Sequence, residues 1–152
     1  CVGEKRTVKI NKVVFEYKNK FLWLTLPSGR KLAYYDPKLV DKKMPWGETR
    51  QVLHYYAINS LTKQWGLEST YGGKLTENIV QAISRDLMAE AMLNMKAQGF
   101  DVLLSVHDEA ICEQDPDFMS VHDYESLMAE SPEWARGAPI AVEGFKSFRY
   151  KK

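Results

Sequence analysis

Three ionisable residues in a row, His107-Asp108-Glu109, follow the short apolar run 100–106 and precede its return at 110–113. Residue types and lengths predict a β-hairpin with an imidazole and two carboxylates at its tip. At the end of a buried apolar strand the backbone is rigid and the dielectric is falling, so unpaired charge is costly and a bound cation or basic partner is expected. Asp108 is the natural Mg²⁺ ligand, because that ion takes one or two carboxylates and completes its shell with water and phosphate oxygens. Along an extended strand successive side chains point to opposite faces, so the three cannot converge on one ion unless the turn rotates them. A two-metal phosphoryl-transfer site, with ions about 3.5–4 Å apart, needs a further carboxylate from another strand. Asp115, Asp117 and Asp123 lie beyond the hairpin, and Asp36 and Asp41 flank a turn; none is a convincing second donor. The hairpin is therefore an incomplete site, and taken in isolation Asp108 reads as a turn residue.

A second polar constellation precedes it. Residues 76–98 predict a helix of about 22 residues, with Thr76 as N-cap, Glu77 in the first turn where the helix dipole favours a carboxylate, and Gly99 closing it. Val80, Ile83, Leu87 and Ala91 recur at three- and four-residue spacing and form the expected core-facing stripe. Glu77, Gln81 and Arg85 repeat every four residues with Asn78 beside them, so a row of hydrogen-bonding side chains lies along another face. On periodicity alone that row is a solvated face.

The elements before the helix are mostly strands. Residues 7–17 and 21–26 are β-branched and aromatic, with partial alternation, and Lys18-Asn19-Lys20 between them reads as a hairpin turn. Leu26-Pro27-Ser28-Gly29-Arg30 is a turn leading to a strand at 31–35, which Asp36-Pro37 should end. A polar connection over 38–50 and a second hairpin, 51–58 with 61–67 turning at Asn59-Ser60, complete an antiparallel sheet. Beyond the acidic hairpin, residues 120–130 predict a short helix burying Tyr124, Leu127 and Met128, and 140–150 a last strand. The expected fold class is α+β: an antiparallel sheet with a long helix packed on it.

Composition bounds the rest. The 152 residues, 45% hydrophobic, suit one domain over 1–152. Two cysteines, Cys1 and Cys112, have neither zinc-ligand spacing nor a disulfide framework, which favours a reducing, intracellular setting. No apolar run approaches the roughly 18 residues needed to cross a bilayer, so no membrane association is expected. The net charge of +1 conceals a gradient. Residues 1–50 hold twelve Lys and Arg against five Asp and Glu, 51–100 are balanced at four each, and 101–152 hold five against eleven. Such unevenness is either a wet surface or a phosphate-facing part joined to a cation-holding one.

The stretch 71–113 resembles family A DNA polymerases, in particular their phage and prophage members. Gly72-Gly73-Lys74-Leu75-Thr76-Glu77-Asn78-Ile79-Val80-Gln81-Ala82, followed by Arg85-Asp86, is similar to their palm helix beside the primer-template. Val106-His107-Asp108-Glu109 is similar to the palm's motif C. Leu26-Pro27-Ser28-Gly29-Arg30-Lys31-Leu32 resembles the Gly-Arg-basic hairpin before that helix, and Arg149-Tyr150-Lys151-Lys152 the ends of phage relatives. The resemblance spans 21–152.

It implies a polymerase palm-like fragment in which Asp108 coordinates catalytic Mg²⁺, Glu109 is its acidic neighbour and His107 approaches the primer terminus. Gln81 would read the minor groove of the nascent duplex, whose degenerate acceptor pattern suits a sequence-tolerant contact. Glu77, Asn78, Arg85, Lys74, Arg30 and Lys31 would face DNA. Primer-template DNA and a deoxynucleoside triphosphate are the implied ligands, and the cytoplasm of a bacterial or phage-infected cell the implied location. The motif A strand with the other essential aspartate is absent, as is the motif B helix, so an upstream polymerase fragment is the implied partner and the isolated chain is expected to be inactive. Cys1 fits either a protein-splicing junction or simple trimming. The alternatives are a non-catalytic remnant binding DNA or protein, and a self-sufficient metal hydrolase using His107, Asp108 and Glu109.

Overall fold

The computed structural model describes residues 7–150. Cys1, Lys151 and Lys152, to which the splicing-junction and chain-end expectations refer, lie outside them. The chain divides into two compact units, Cys1–Gln81 and Ala82–Lys152, with the boundary inside the long helix. Both are α+β in content.

The first unit is a six-stranded antiparallel meander, each strand pairing with the next: β1 (Thr7–Ile10), β2 (Val13–Lys18), β3 (Phe21–Thr25), β4 (Lys31–Lys43), β5 (Thr49–Ile58) and β6 (Trp65–Thr70). The single strand expected over 7–17 is two, because Asn11 adopts a left-handed φ of 51° and reverses the chain between paired Ile10 and Val13. At the next turn both Asn19 and Lys20 have positive φ, 52° and 64°, between paired Lys18 and Phe21. Two left-handed residues match the twist of a two-residue hairpin, and Asn tolerates that region better than most. Asp36-Pro37 does not end β4. Asp36 takes φ 47°, its amide donates to the Lys20 carbonyl at 2.7 Å, and the ladder to β5 shifts register there before continuing to Lys43. A bulge absorbs the proline that a regular ladder would reject. The polar connection expected over 38–50 is accordingly the end of β4, a turn closed by Met44 and Glu48, and the start of β5.

One face of this sheet carries the core. Leu22, Leu24, Tyr34 and Leu53 are buried together, with Phe15, Leu32 and Tyr55 packed against them. The long helix α1 (Gly72–Ala97) contributes Leu75 and Ile79 to the same cluster. It starts a turn earlier than expected. The Thr76 hydroxyl donates back to the Gly72 carbonyl at 3.0 Å, so Thr76 is an interior residue rather than the cap, and no acid occupies the first turn.

The second unit holds the rest of α1, a two-stranded hairpin of β7 (Asp101–Val106) and β8 (Glu109–Glu113), and α2 (Val121–Ala129). Ala91, Met95, Phe100 and Met128 form its core, with Met88, Val102, Tyr124 and Leu127 against them. Ala91 lies in the expected stripe, whereas Val80 is 56% exposed. Helix α1 ends in a Schellman arrangement: Phe100 N–H donates to the Met95 carbonyl at 3.0 Å and Gly99 takes φ 93°. A side chain at Gly99 would also meet Phe118, 3.2 Å from where its Cβ would stand. Ser120 caps α2 through a reciprocal box with Asp123, whose carboxyl these hydrogen bonds hold below the usual carboxylate range. The strand expected over 140–150 does not form. Val142 packs on the second core, and Gly144 donates to the Glu125 carboxylate at 2.8 Å. A Cβ at Gly144 would lie 3.1 Å from Val121, so the tail is held against α2 and finds no ladder there.

Two substitutions test the first core. Leu24→Ala, at a fully buried position, is expected to lower unfolding stability by about 2–5 kcal/mol. Thr70→Val should leave it unchanged or raise it by about 1 kcal/mol, because the buried Thr70 hydroxyl has no hydrogen-bond partner among the described residues. Urea denaturation of the two variants reads both.

Candidate functional site

The register Val106↔Glu109 leaves His107 and Asp108 as a two-residue turn. His107 has φ 54°, an uncommon conformation for a residue with a Cβ, and its adoption closes the hairpin this tightly. His107, Asp108 and Glu109 are all exposed. The strand leading to them is not the buried one expected: Leu103 and Leu104 are 52% and 48% exposed, and Val102 makes the core contact. The Asp108 carboxylate therefore stands in water, and among the described residues no side chain pairs with it. Glu109 accepts a hydrogen bond from the Tyr150 hydroxyl at 3.2 Å.

The hairpin is fixed from behind. Tyr124, on α2, donates its hydroxyl to the Ala110 carbonyl at 2.6 Å, one residue past Glu109. Burial, with a smaller contribution from Cys112, pushes the Tyr124 phenol up to about 12. Burial likewise raises the Cys112 thiol, so this free cysteine is not a poised nucleophile. Tyr124 is legible in the sequence as a buried helix residue, but nothing local reveals that its hydroxyl reaches β8. The Tyr150–Glu109 contact spans 41 residues and leaves no sequence signal.

Among the described residues no group of three or more His, Cys, Asp or Glu could hold a metal ion. Asp108 fits one part of a Mg²⁺ shell, as an exposed carboxylate on a defined turn, with Glu109 as its neighbour. Among the described residues it is not joined by two further such ligands.

On α1 the polar row forms a connected surface. Lys74 pairs with Glu77 at 2.9 Å, which raises the Lys74 pKa, and Gln81 donates one amide N–H to the other Glu77 oxygen at 3.2 Å. The lysine offsets a carboxylate that would otherwise repel phosphate. The Gln81 amide has a second N–H. Asn78 is different: its amide donates to the Tyr34 hydroxyl at 3.0 Å, half buried, and ties the helix to the sheet. Arg85, four residues beyond Gln81, is exposed with no partner among the described residues. Arg30 ends the β3–β4 turn, where its carbonyl accepts from Leu26 N–H at 2.8 Å, and exposed Lys31 opens β4 opposite Thr25. On the core face of the first unit, a cleft of about 290 Å³ is lined by Phe15, Leu22, Leu39, Leu53 and Leu75 with Thr70 among them. No helix among the described residues is long and apolar enough to cross a membrane.

The elements thus define an α+β protein with a polar helix face and a hairpin tip that carries Asp108 and Glu109. Over its whole length the chain is similar in sequence to part of a DNA polymerase. It is 37% identical over 154 residues to the DNA polymerase of Bacillus phage SP02, an alignment that covers 100% of this chain and 23% of that polymerase. The chain therefore spans about a quarter of the relative's length. No family model matches it, and no solved structure does.

The hairpin brace is open to a direct test. A raised phenol pKa means that the folded state favours the neutral form. The Tyr124 contribution is thus complete below the unfolded value near 10 and is lost as pH rises towards about 12. Tyr124→Phe should lower stability at neutral pH by about 1 kcal/mol for the lost hydrogen bond. It should also make the decline between pH 10 and 12 shallower, as followed by circular dichroism.

Proposed function

We propose that the chain is the C-terminal palm segment, one domain in function, of a phage-type family A DNA polymerase, and that it serves DNA replication in the cytoplasm of a bacterial cell. The observation that carries this reading is the alignment of the entire chain with part of a phage DNA polymerase. The order of a polar-faced helix, a glycine-closed turn and a His107-Asp108-Glu109 hairpin agrees with it.

In this reading the residues divide by task. Asp108 supplies one carboxylate to Mg²⁺, and Glu109, steadied by Tyr150, keeps negative charge beside it. His107 approaches the primer terminus. When bound, the metal supplies stabilisation of charge on a transferring phosphoryl group. Gln81 keeps one N–H on Glu77 and offers the other to minor-groove acceptors, which every base pair displays. Arg85 contacts phosphate, while Lys74, Glu77 and Asn78 hold the face in position. The deoxynucleoside triphosphate and the second essential carboxylate belong, in this reading, to an upstream polymerase fragment.

Primer extension tests the assignment. The chain alone should extend nothing, and mixing it with a polypeptide carrying the remaining polymerase motifs should restore synthesis. Asp108→Ala should then lower the restored rate by about a thousandfold, the consequence of removing several kcal/mol of stabilisation. Gln81→Ala should weaken primer-template binding about fivefold, as expected for one hydrogen bond. Restored synthesis that survives Asp108→Ala refutes the site. DNA binding lost in Gln81→Ala, with no synthesis under any complementation, would instead identify a non-catalytic remnant.

A further inference from the structure

The face of the six-stranded sheet opposite the core carries an aromatic platform. Strand register places Lys18, Phe21, Tyr35, Tyr56 and Leu67 in one row across five strands. Phe21 lies 5.1 Å, centroid to centroid, from both Trp23 and Tyr35. Tyr35 lies 6.4 Å from Tyr56 and 6.3 Å from Trp65, and Tyr56 and Trp65 stack at 16°. Trp65 is 61% exposed, as are Ile58 at 63% and Leu67 at 55%. The rings thus form one contiguous patch, in which Trp65 is largely open to solvent and the others are half-buried.

Basic residues share the face with the rings. The same register puts Lys9, Lys31 and Lys42 on this face with Lys18, and none of the four has a partner among the described residues. Lys38 and Arg50 share the face but are paired, with Asp36 at 2.8 Å and Glu48 at 3.0 Å. Glu16, opposite Trp23, is the one acid in the regular ladder positions of this face.

We infer that this face binds an unpaired strand of DNA, with bases stacked on the Trp65–Tyr56–Tyr35 rings and phosphates along the lysines. Stacking rings interleaved with basic residues suit a single strand, because every base has a π-face and every nucleotide a phosphate. A protein partner fits less well, since lysine is depleted at protein interfaces. A second copy would set the four unpaired lysines against their own kind. The inference stands on the sheet alone and needs neither Asp108 nor primer extension.

Fluorescence anisotropy of a labelled oligothymidine of about 20 nucleotides, titrated with the full chain at several salt concentrations, tests it. Trp65→Ala should weaken binding about tenfold, and Trp65→Phe, which keeps a ring, should restore most of it. Lys18→Ala with Lys31→Ala should flatten the dependence of log affinity on log salt by about 1.4. Gln81→Ala should leave oligothymidine binding unchanged, which separates this surface from the helix face proposed for the duplex. Trp65 is largely exposed, so an unchanged melting temperature verifies that the variant folds. Absence of binding, or native affinity in both Trp65→Ala and Tyr56→Ala, overturns the inference. So does an equal loss of duplex and single-strand binding, or a concentration-dependent dimer that Trp65→Ala dissolves.

Discussion

Leu75 and Ile79 lie four residues apart on α1 and enter the apolar cluster of Leu22, Leu24, Tyr34 and Leu53. That contact sets the rotation of the helix about its axis, and the character of every other position on its first turns follows from it. Asn78, next to Ile79, reaches the Tyr34 hydroxyl and adds a directional bond to a non-directional one. Glu77 and Gln81 are turned to solvent and can interact with each other and with Lys74. A polar surface of defined geometry is therefore a by-product of how the helix buries its apolar residues. The same sheet, by strict alternation along its strands, sends Leu22, Leu24 and Tyr34 to the core and Phe21, Trp23 and Tyr35 to the opposite side. One alternating pattern thus builds the hydrophobic core and the solvent-facing aromatic row.

The acidic hairpin follows a different logic. A two-stranded ribbon is marginal by itself. Here Val102 and Ala110 are packed on a small core, Tyr124 bonds the Ala110 carbonyl, and Tyr150 contacts Glu109. The tip is held while its carboxylates remain in water. Charge kept in water needs no local compensation, so the position of Asp108 is defined without an internal cation to hold it.

Much of this was legible in the sequence, and the reasons differ by element. The α+β class, the Asn19-Lys20 turn, the α2 helix and the β7–β8 hairpin are encoded locally, in turn residues and periodicity, and are found where expected. Three features were not legible because tertiary contacts override a local rule. Pro37 reads as a strand terminator, yet Asp36 bonds Lys20 across the sheet and turns the break into a bulge. Thr76 reads as a cap, yet apolar Leu75 already reaches the core, so the helix extends upstream to include it. Residues 140–150 read as a strand, but α2 lies where the ladder would have to be. Of the candidate site, periodicity located the polar row and the turn located the acids. Neither distinguishes a DNA-facing surface from a solvated one, because both consist of exposed hydrogen-bonding groups.

The charge distribution bears on that ambiguity. Lysines spread evenly over a wet surface would appear on both faces of the sheet. They are concentrated instead on the face opposite the core, together with rings that hydrophobic burial alone would have turned inward. Exposed Trp65 and Leu67 lose the stabilisation that burial would give them. A face that carries exposed rings together with unpaired lysines is matched by something that offers both flat apolar surface and negative charge. Nucleic acid carries the two in every residue, so the single strand proposed for this face and the primer-template proposed for the helix belong to one class of ligand.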